Sequence, residues 1–122
     1  MKNILFVMFA LITTSSAYAS NIFTVCFSDI KPNKIYTGRI VMNTDSASID
    51  YMGDDGSWSG LTATITGREI NALPTGYRVS GLTMHGPNGY TITNMNFEVT
   101  PDVVKLWQNN DAPKVHALIP CP

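Results

Sequence analysis

The strongest constraint on this chain is a two-residue period of hydrophobicity that recurs in short runs from residue 22 onward. Leu61, Ala63 and Ile65 alternate with Thr62, Thr64 and Thr66, and Ala47, Ile49 and Tyr51 alternate with Ser48 and Asp50. Successive side chains point to opposite faces of a strand, so runs of this kind bury one face only as β-structure. Similar runs cover residues 22–27, 34–42, 77–80 and 90–99, the last with Met95, Phe97 and Val99 on one face. Val115, Ala117, Ile119 and Cys121 share a parity at the C-terminal end, which sets His116 on the solvent side. Turn chemistry separates the runs: Lys31-Pro32-Asn33, Gly53-Asp54-Asp55-Gly56, Leu73-Pro74-Thr75-Gly76 and Gly86-Pro87-Asn88-Gly89. The pattern predicts a mainly β fold, a small antiparallel sandwich or barrel.

One stretch breaks the period. Thr100 has N-cap chemistry, Pro101 suits the first helical position, and Asp102 complements the positive end of a helix. Val103, Val104, Leu106 and Trp107 then make an apolar stripe, and Asn109, Asn110 and Pro113 end it. This predicts one short C-terminal helix of two turns, stable only when packed on the sheet. A further helical turn is compatible with residues 69–73.

The N-terminus carries an address. Lys2 is followed by an apolar run over residues 4–12, a polar break, and Ala17-Tyr18-Ala19 before Ser20. That layout predicts a cleaved signal peptide over residues 1–19 and a single β-rich domain over residues 20–122, periplasmic or secreted. The apolar run is well short of the roughly 20 residues that span a bilayer, so no membrane insertion is expected. In an oxidising compartment Cys26 and Cys121 read most simply as one disulfide. So long a loop would stabilise the fold by up to about 4–5 kcal/mol on the chain-entropy model.

Composition narrows the functional classes. The chain is 44% hydrophobic and only 14% charged, which excludes a disordered tail. Its 8 Lys and Arg residues are scattered, so no basic stripe exists to bind nucleic acid. His85 and His116 are the only histidines, and neither a Gly-x-Ser-x-Gly elbow nor an HExxH helix accompanies them. Adjacent Asp54 and Asp55 lack the spaced ligands of an EF-hand. An enzyme is not expected, and no metal or cofactor is implied.

Binding is the better-supported expectation. Residues 53–60 place Trp58 among Asp54, Asp55 and small residues, either as a stacking platform or hot spot, or folded back over the sheet. Residues 84–90, stiffened by Pro87, present His85, Asn88 and Tyr90, unless they form a plain hairpin turn. A rigid loop loses little entropy on entering a partner's cleft.

In its signal, size, β-content and single disulfide, the chain resembles periplasmic lysozyme inhibitors and immunity proteins against type VI secreted muramidases. The resemblance is one of layout and includes no sequence motif. It implies a protein partner, a secreted hydrolase or toxin, whose acidic catalytic groups would meet donors such as His85, Asn88, Arg68 or Arg78. A carbohydrate-binding module or toxin binding subunit is the alternative, with Trp58 and Tyr90 stacking on sugar and Asp54, Asp55 and Asn88 bonding hydroxyls. A structural envelope protein is a third reading, and the Thr-rich strands allow a homodimer through edge pairing.

Overall fold

The computed structural model describes residues 20–122. The expected signal peptide, residues 1–19, lies outside them. Nine strands follow in chain order: β1 (Asn21–Lys31), β2 (Lys34–Asn43), β3 (Ser46–Met52), β4 (Trp58–Thr64), β5 (Ile70–Leu73), β6 (Gly76–His85), β7 (Thr91–Val99), β8 (Val103–Gln108) and β9 (Lys114–Ile119). All pairings are antiparallel; β1 also pairs with β9, and β4 reaches β6 where Thr62 faces His85. β4 and β5 occupy the same side of β6, with β5 prolonging the line that β4 begins. The nine segments therefore make a closed, eight-stranded up-and-down barrel. Closure pairs most of the edges that strand-to-strand dimerisation would use; β5 keeps an unpaired side among the described residues.

The two-residue period does what it predicts. Phe27, Ile40, Met42, Ala47, Ile49, Ala63 and Ile65 fill one half of the lumen, and Val79, Leu82, Met84, Phe97, Val99, Val104 and Leu106 fill the other. Barrels of this strand number are just wide enough to be packed by their own side chains. Each large one so buried contributes about 1.5–3 kcal/mol. The period slips in β7, where the inward face passes from Ile92 to Met95, and in β6, where it passes from Val79 to Leu82. Gly81 takes φ +75° there, and its N–H donates to the buried Asn96 Oδ1 at 2.9 Å, the geometry of a bulge. Residues 66–69 interrupt the β4–β5 line, held by the Glu69 carboxylate, which accepts from the Thr66 and Gly67 N–H groups at 3.0 Å.

Three expectations change. Residues 103–108 are a strand, not a helix: Val104 and Leu106 point inward, and β8 bonds β7 on one side and β9 on the other. Thr100, Pro101 and Asp102 start a turn instead, in which the Thr100 N–H donates to the Val103 carbonyl at 3.0 Å. Two helical turns cannot match two complete ladders. Residues 70–73 are likewise strand, paired with β6. On β9 the parity is reversed: His116, opposite the buried Val104, faces the lumen, while Val115 is exposed.

Cys26 and Cys121 form the expected disulfide across 95 positions. It fastens the segment after β9 to β1, where the first and last strands meet to close the ring. Because the strands alternate in direction around that ring, the connections at residues 32–33, 53–57, 86–90 and 109–113 gather at one end. These four connections define the upper end of the barrel. Ser20 and Pro122 belong to the other.

Candidate functional site

Both loops singled out in the sequence lie at the upper end, yet much of their side-chain chemistry is already engaged. Lys34 Nζ donates to Asp54 Oδ1 at 2.6 Å. That hydrogen bond and the opposed charges hold the exposed Asp54 below the usual carboxylate range and Lys34 above the usual amine range. Asp55 accepts from the Ser57 hydroxyl at 2.6 Å and the Ser57 N–H at 3.0 Å, and both lower its pKa. Trp58 faces Met52 at the top of the β3–β4 hairpin, half-buried, with the Arg39 guanidinium 4.2 Å above its ring. Arg39 in turn pairs with Asp50 at 3.0 Å. One face of the Trp58 ring is thus covered, as in the folded-back alternative, and the segment is tied to the barrel wall.

The 86–90 connection is a tight turn. Pro87–Gly89 make a single 3-10 turn with Asn88 at φ +59°, a conformation that Asn tolerates better than most residues. Asn88 and Tyr90 are exposed, and His85 Nδ1 sits 3.2 Å from the Thr91 hydroxyl. The two arginines named as possible donors do not join this loop. Arg78 lies low on β6 and pairs with Glu98 at 2.9 Å, and Arg68 belongs to the 66–69 interruption.

A cavity lies elsewhere on the same end. It holds about 310 Å³ in the mouth of the barrel. One wall is polar, with Asp29, Tyr51 and His116; another is apolar, with Ile92, Met95 and Leu106; Lys31, Asp111 and Lys114 also line it. Phe27, in the core, packs against two of its lining side chains: Tyr51 meets the Phe27 ring edge-on at 5.9 Å and the His116 ring is tilted against it at 5.2 Å. Gly38 makes this possible. It stands in register between Phe27 and Tyr51 on the intervening strand, and its missing side chain leaves room for the ring.

Asp29 is the buried charge of the site, its side chain 10% exposed. Its Oδ2 accepts from the Tyr51 hydroxyl at 3.2 Å. Its Oδ1 has Lys31 Nζ at 3.6 Å and His116 Nδ1 at 3.9 Å, both beyond hydrogen-bonding reach. Burial, and then the Asp29 carboxylate, push the Tyr51 phenol well above its ordinary pKa, so it stays a neutral donor. Among the described residues no group of three or more His, Cys, Asp or Glu side chains is placed to hold a metal ion. What the site offers is a buried acceptor, a phenol, an imidazole and an apolar wall.

None of Asp29, Tyr51 and His116 was singled out from the sequence as a binding residue. One signal was there: Asp29 shares the inward parity of Val25 and Phe27, and an acid on a buried face requires a partner. Beside the cavity the outer wall carries a second feature. Ile30 and Ile35 face each other across the β1–β2 ladder and are 72% and 63% exposed. Continuing the β1–β9 register from the Ser28–Ala117 pair brings Val115, 58% exposed, level with Ile30. Three branched aliphatic side chains thus form an exposed row across three adjacent strands.

Comparison with protein-family models, with curated proteins and with solved structures gave no match. What is shown is therefore the fold and a cavity: a disulfide-closed, eight-stranded antiparallel barrel with a cavity in one mouth. No helix among the described residues is long and apolar enough to cross a membrane.

Proposed function

We propose that the protein is an exported binding protein that acts by protein–protein contact at the upper end of its barrel, blocking a secreted hydrolase or toxin. The observation that carries this reading is the exposed row of Ile30, Ile35 and Val115 beside the cavity mouth. Contiguous apolar surface rimmed by polar groups is what interaction sites present. Here the rim consists of Lys31, Lys34, Lys114 and Asp111. Exposed Asn88 and Tyr90 extend the same end, adding an aromatic of the kind that anchors interfaces. Export is supported by the signal-like N-terminus and by a disulfide, which persists in oxidising compartments. Glycan binding has less to rest on, since Asp54 and Asp55 are engaged and one face of Trp58 is covered.

The test is a pull-down from periplasmic and culture-supernatant extracts with oxidised protein as bait, alongside an Ile30→Glu/Ile35→Glu variant. Wild-type bait should retain one stoichiometric protein whose activity it neutralises, and the variant should lose it. Retention of nothing, or equal retention by both baits, contradicts the reading.

A further inference from the structure

We infer that the barrel-mouth cavity is a site for a cationic nitrogen on a short apolar stem, an alkylammonium or alkylguanidinium group. Such a ligand would be held by the cavity's own chemistry, whether or not the exposed row contacts a protein. Three observations converge. Asp29 is buried but only half satisfied, since its Oδ2 accepts from Tyr51 while its Oδ1 accepts no hydrogen bond among the described residues. A carboxylate oxygen at the mouth of a cavity is stabilised most by a charge-assisted donor. Against the carboxylate stand Ile92, Met95 and Leu106, which offer an alkyl stem an apolar wall. The volume, about 310 Å³, lies at the lower end of the range for small-ligand sites and exceeds what a single butyl chain with its head group fills.

Lys31 shows the same chemistry in weak form. Its ammonium, on a half-exposed side chain, is ion-paired with Asp29 Oδ1 at 3.6 Å, too long for a hydrogen bond. A ligand entering the mouth would displace that ammonium and place its own nitrogen within hydrogen-bonding distance. An anionic ligand fits worse. The innermost charge is negative, while Lys31 and Lys114 are exposed at the rim, with Asp111 beside them.

The experiment is an NMR titration of oxidised, isotope-labelled protein with n-butylguanidinium, and in parallel with n-butanol and butyrate. A capped Gly-Arg-Gly peptide forms a further arm. Saturable shifts should map to Asp29, Tyr51, Ile92, Met95 and Leu106. The cation should bind at least about tenfold more tightly than butanol, the scale of one charge-assisted hydrogen bond. Asp29→Asn should abolish this preference, and Lys31→Met should tighten binding by removing the internal competitor. If Asp29→Asn fails to fold, the Lys31→Met arm and the butanol comparison on wild-type protein decide alone. Tighter binding of the peptide than of butylguanidinium identifies a protein's basic side chain as the source, and the reverse a free amine; both support the site. Equal binding of cation and butanol, shifts outside the cavity, or no tightening in Lys31→Met overturns it.

Discussion

The Phe27 ring occupies the space in which a side chain on Gly38 would lie: a Cβ there would come within 2.2 Å of the ring's Cζ. Phe27 is fully buried and has nowhere to move. The same ring packs against both Tyr51 and His116, so core packing and site geometry meet at one residue. Gly38→Ala should therefore cost about 1–3 kcal/mol by overpacking. Phe27→Ala should cost about 3–5 kcal/mol by cavity formation. Urea denaturation of both variants checks this.

A second glycine is fixed by backbone rather than by a ring. At Gly60, a Cβ would lie 2.1 Å from the Ile49 carbonyl oxygen and 2.7 Å from Asp50 Cα. No rotamer change relieves that contact, so Gly60→Ala should destabilise at least as much as Gly38→Ala in the same assay, and should loosen the β3–β4 hairpin that carries Trp58.

Reduction of the Cys26–Cys121 bond releases the segment after β9 from β1, at one of the two junctions that close the ring. The expected loss is about 2–5 kcal/mol, read as a lower urea midpoint in dithiothreitol. Cys26→Ser/Cys121→Ser should reproduce it without reductant.

Alkaline titration reports on the site itself. The folded-state pKa of Tyr51 is raised by burial and by Asp29, so the folded protein holds that proton after the unfolded chain has lost it. Stability from this group is complete below the ordinary tyrosine pKa of about 10 and declines as pH rises through the folded value. Absorbance near the phenolate band should show a tyrosine that ionises only on unfolding, and Tyr51→Phe should remove that late step.

Much of the barrel was legible in the sequence because one face of each strand is buried. The Leu61–Ala63–Ile65 and Ala47–Ile49 faces read directly, and so did the turns between strands. Two segments misled for definite reasons. Thr100-Pro101-Asp102 serves a turn as well as a helix N-terminus, and only the ladders on both sides of β8 decide between them. On β9 the apolar parity of Val115, Ala117 and Ile119 faces outward, and the lumen-facing parity carries His116 beside Asp29. The site was hidden for a related reason. Asp29, Tyr51 and His116 come from β1, β3 and β9, and only closure of the ring brings β9 against β1. Trp58, Asp54 and Asp55 stood out in sequence because they are conspicuous residues in a turn, yet their partners, Arg39 and Lys34 on β2 and Ser57 within the turn, restrain them.

Charge placed in the apolar row separates binding from folding. Ile30 and Ile35 are exposed, so Ile30→Glu/Ile35→Glu should change unfolding free energy by no more than about 0.5 kcal/mol per site while weakening partner capture strongly. A thermal melt run beside the capture assay checks both halves.

The most direct measurement of the central claim is a hydrogen-exchange footprint of the protein bound to the partner it captures. Upper-end binding predicts slowed exchange in residues 30–36, 84–91 and 109–116, with the lower-end turns at residues 43–46, 74–76 and 99–103 unchanged. Protection confined to those lower-end turns, with the cavity mouth exchanging as in the free protein, would contradict it.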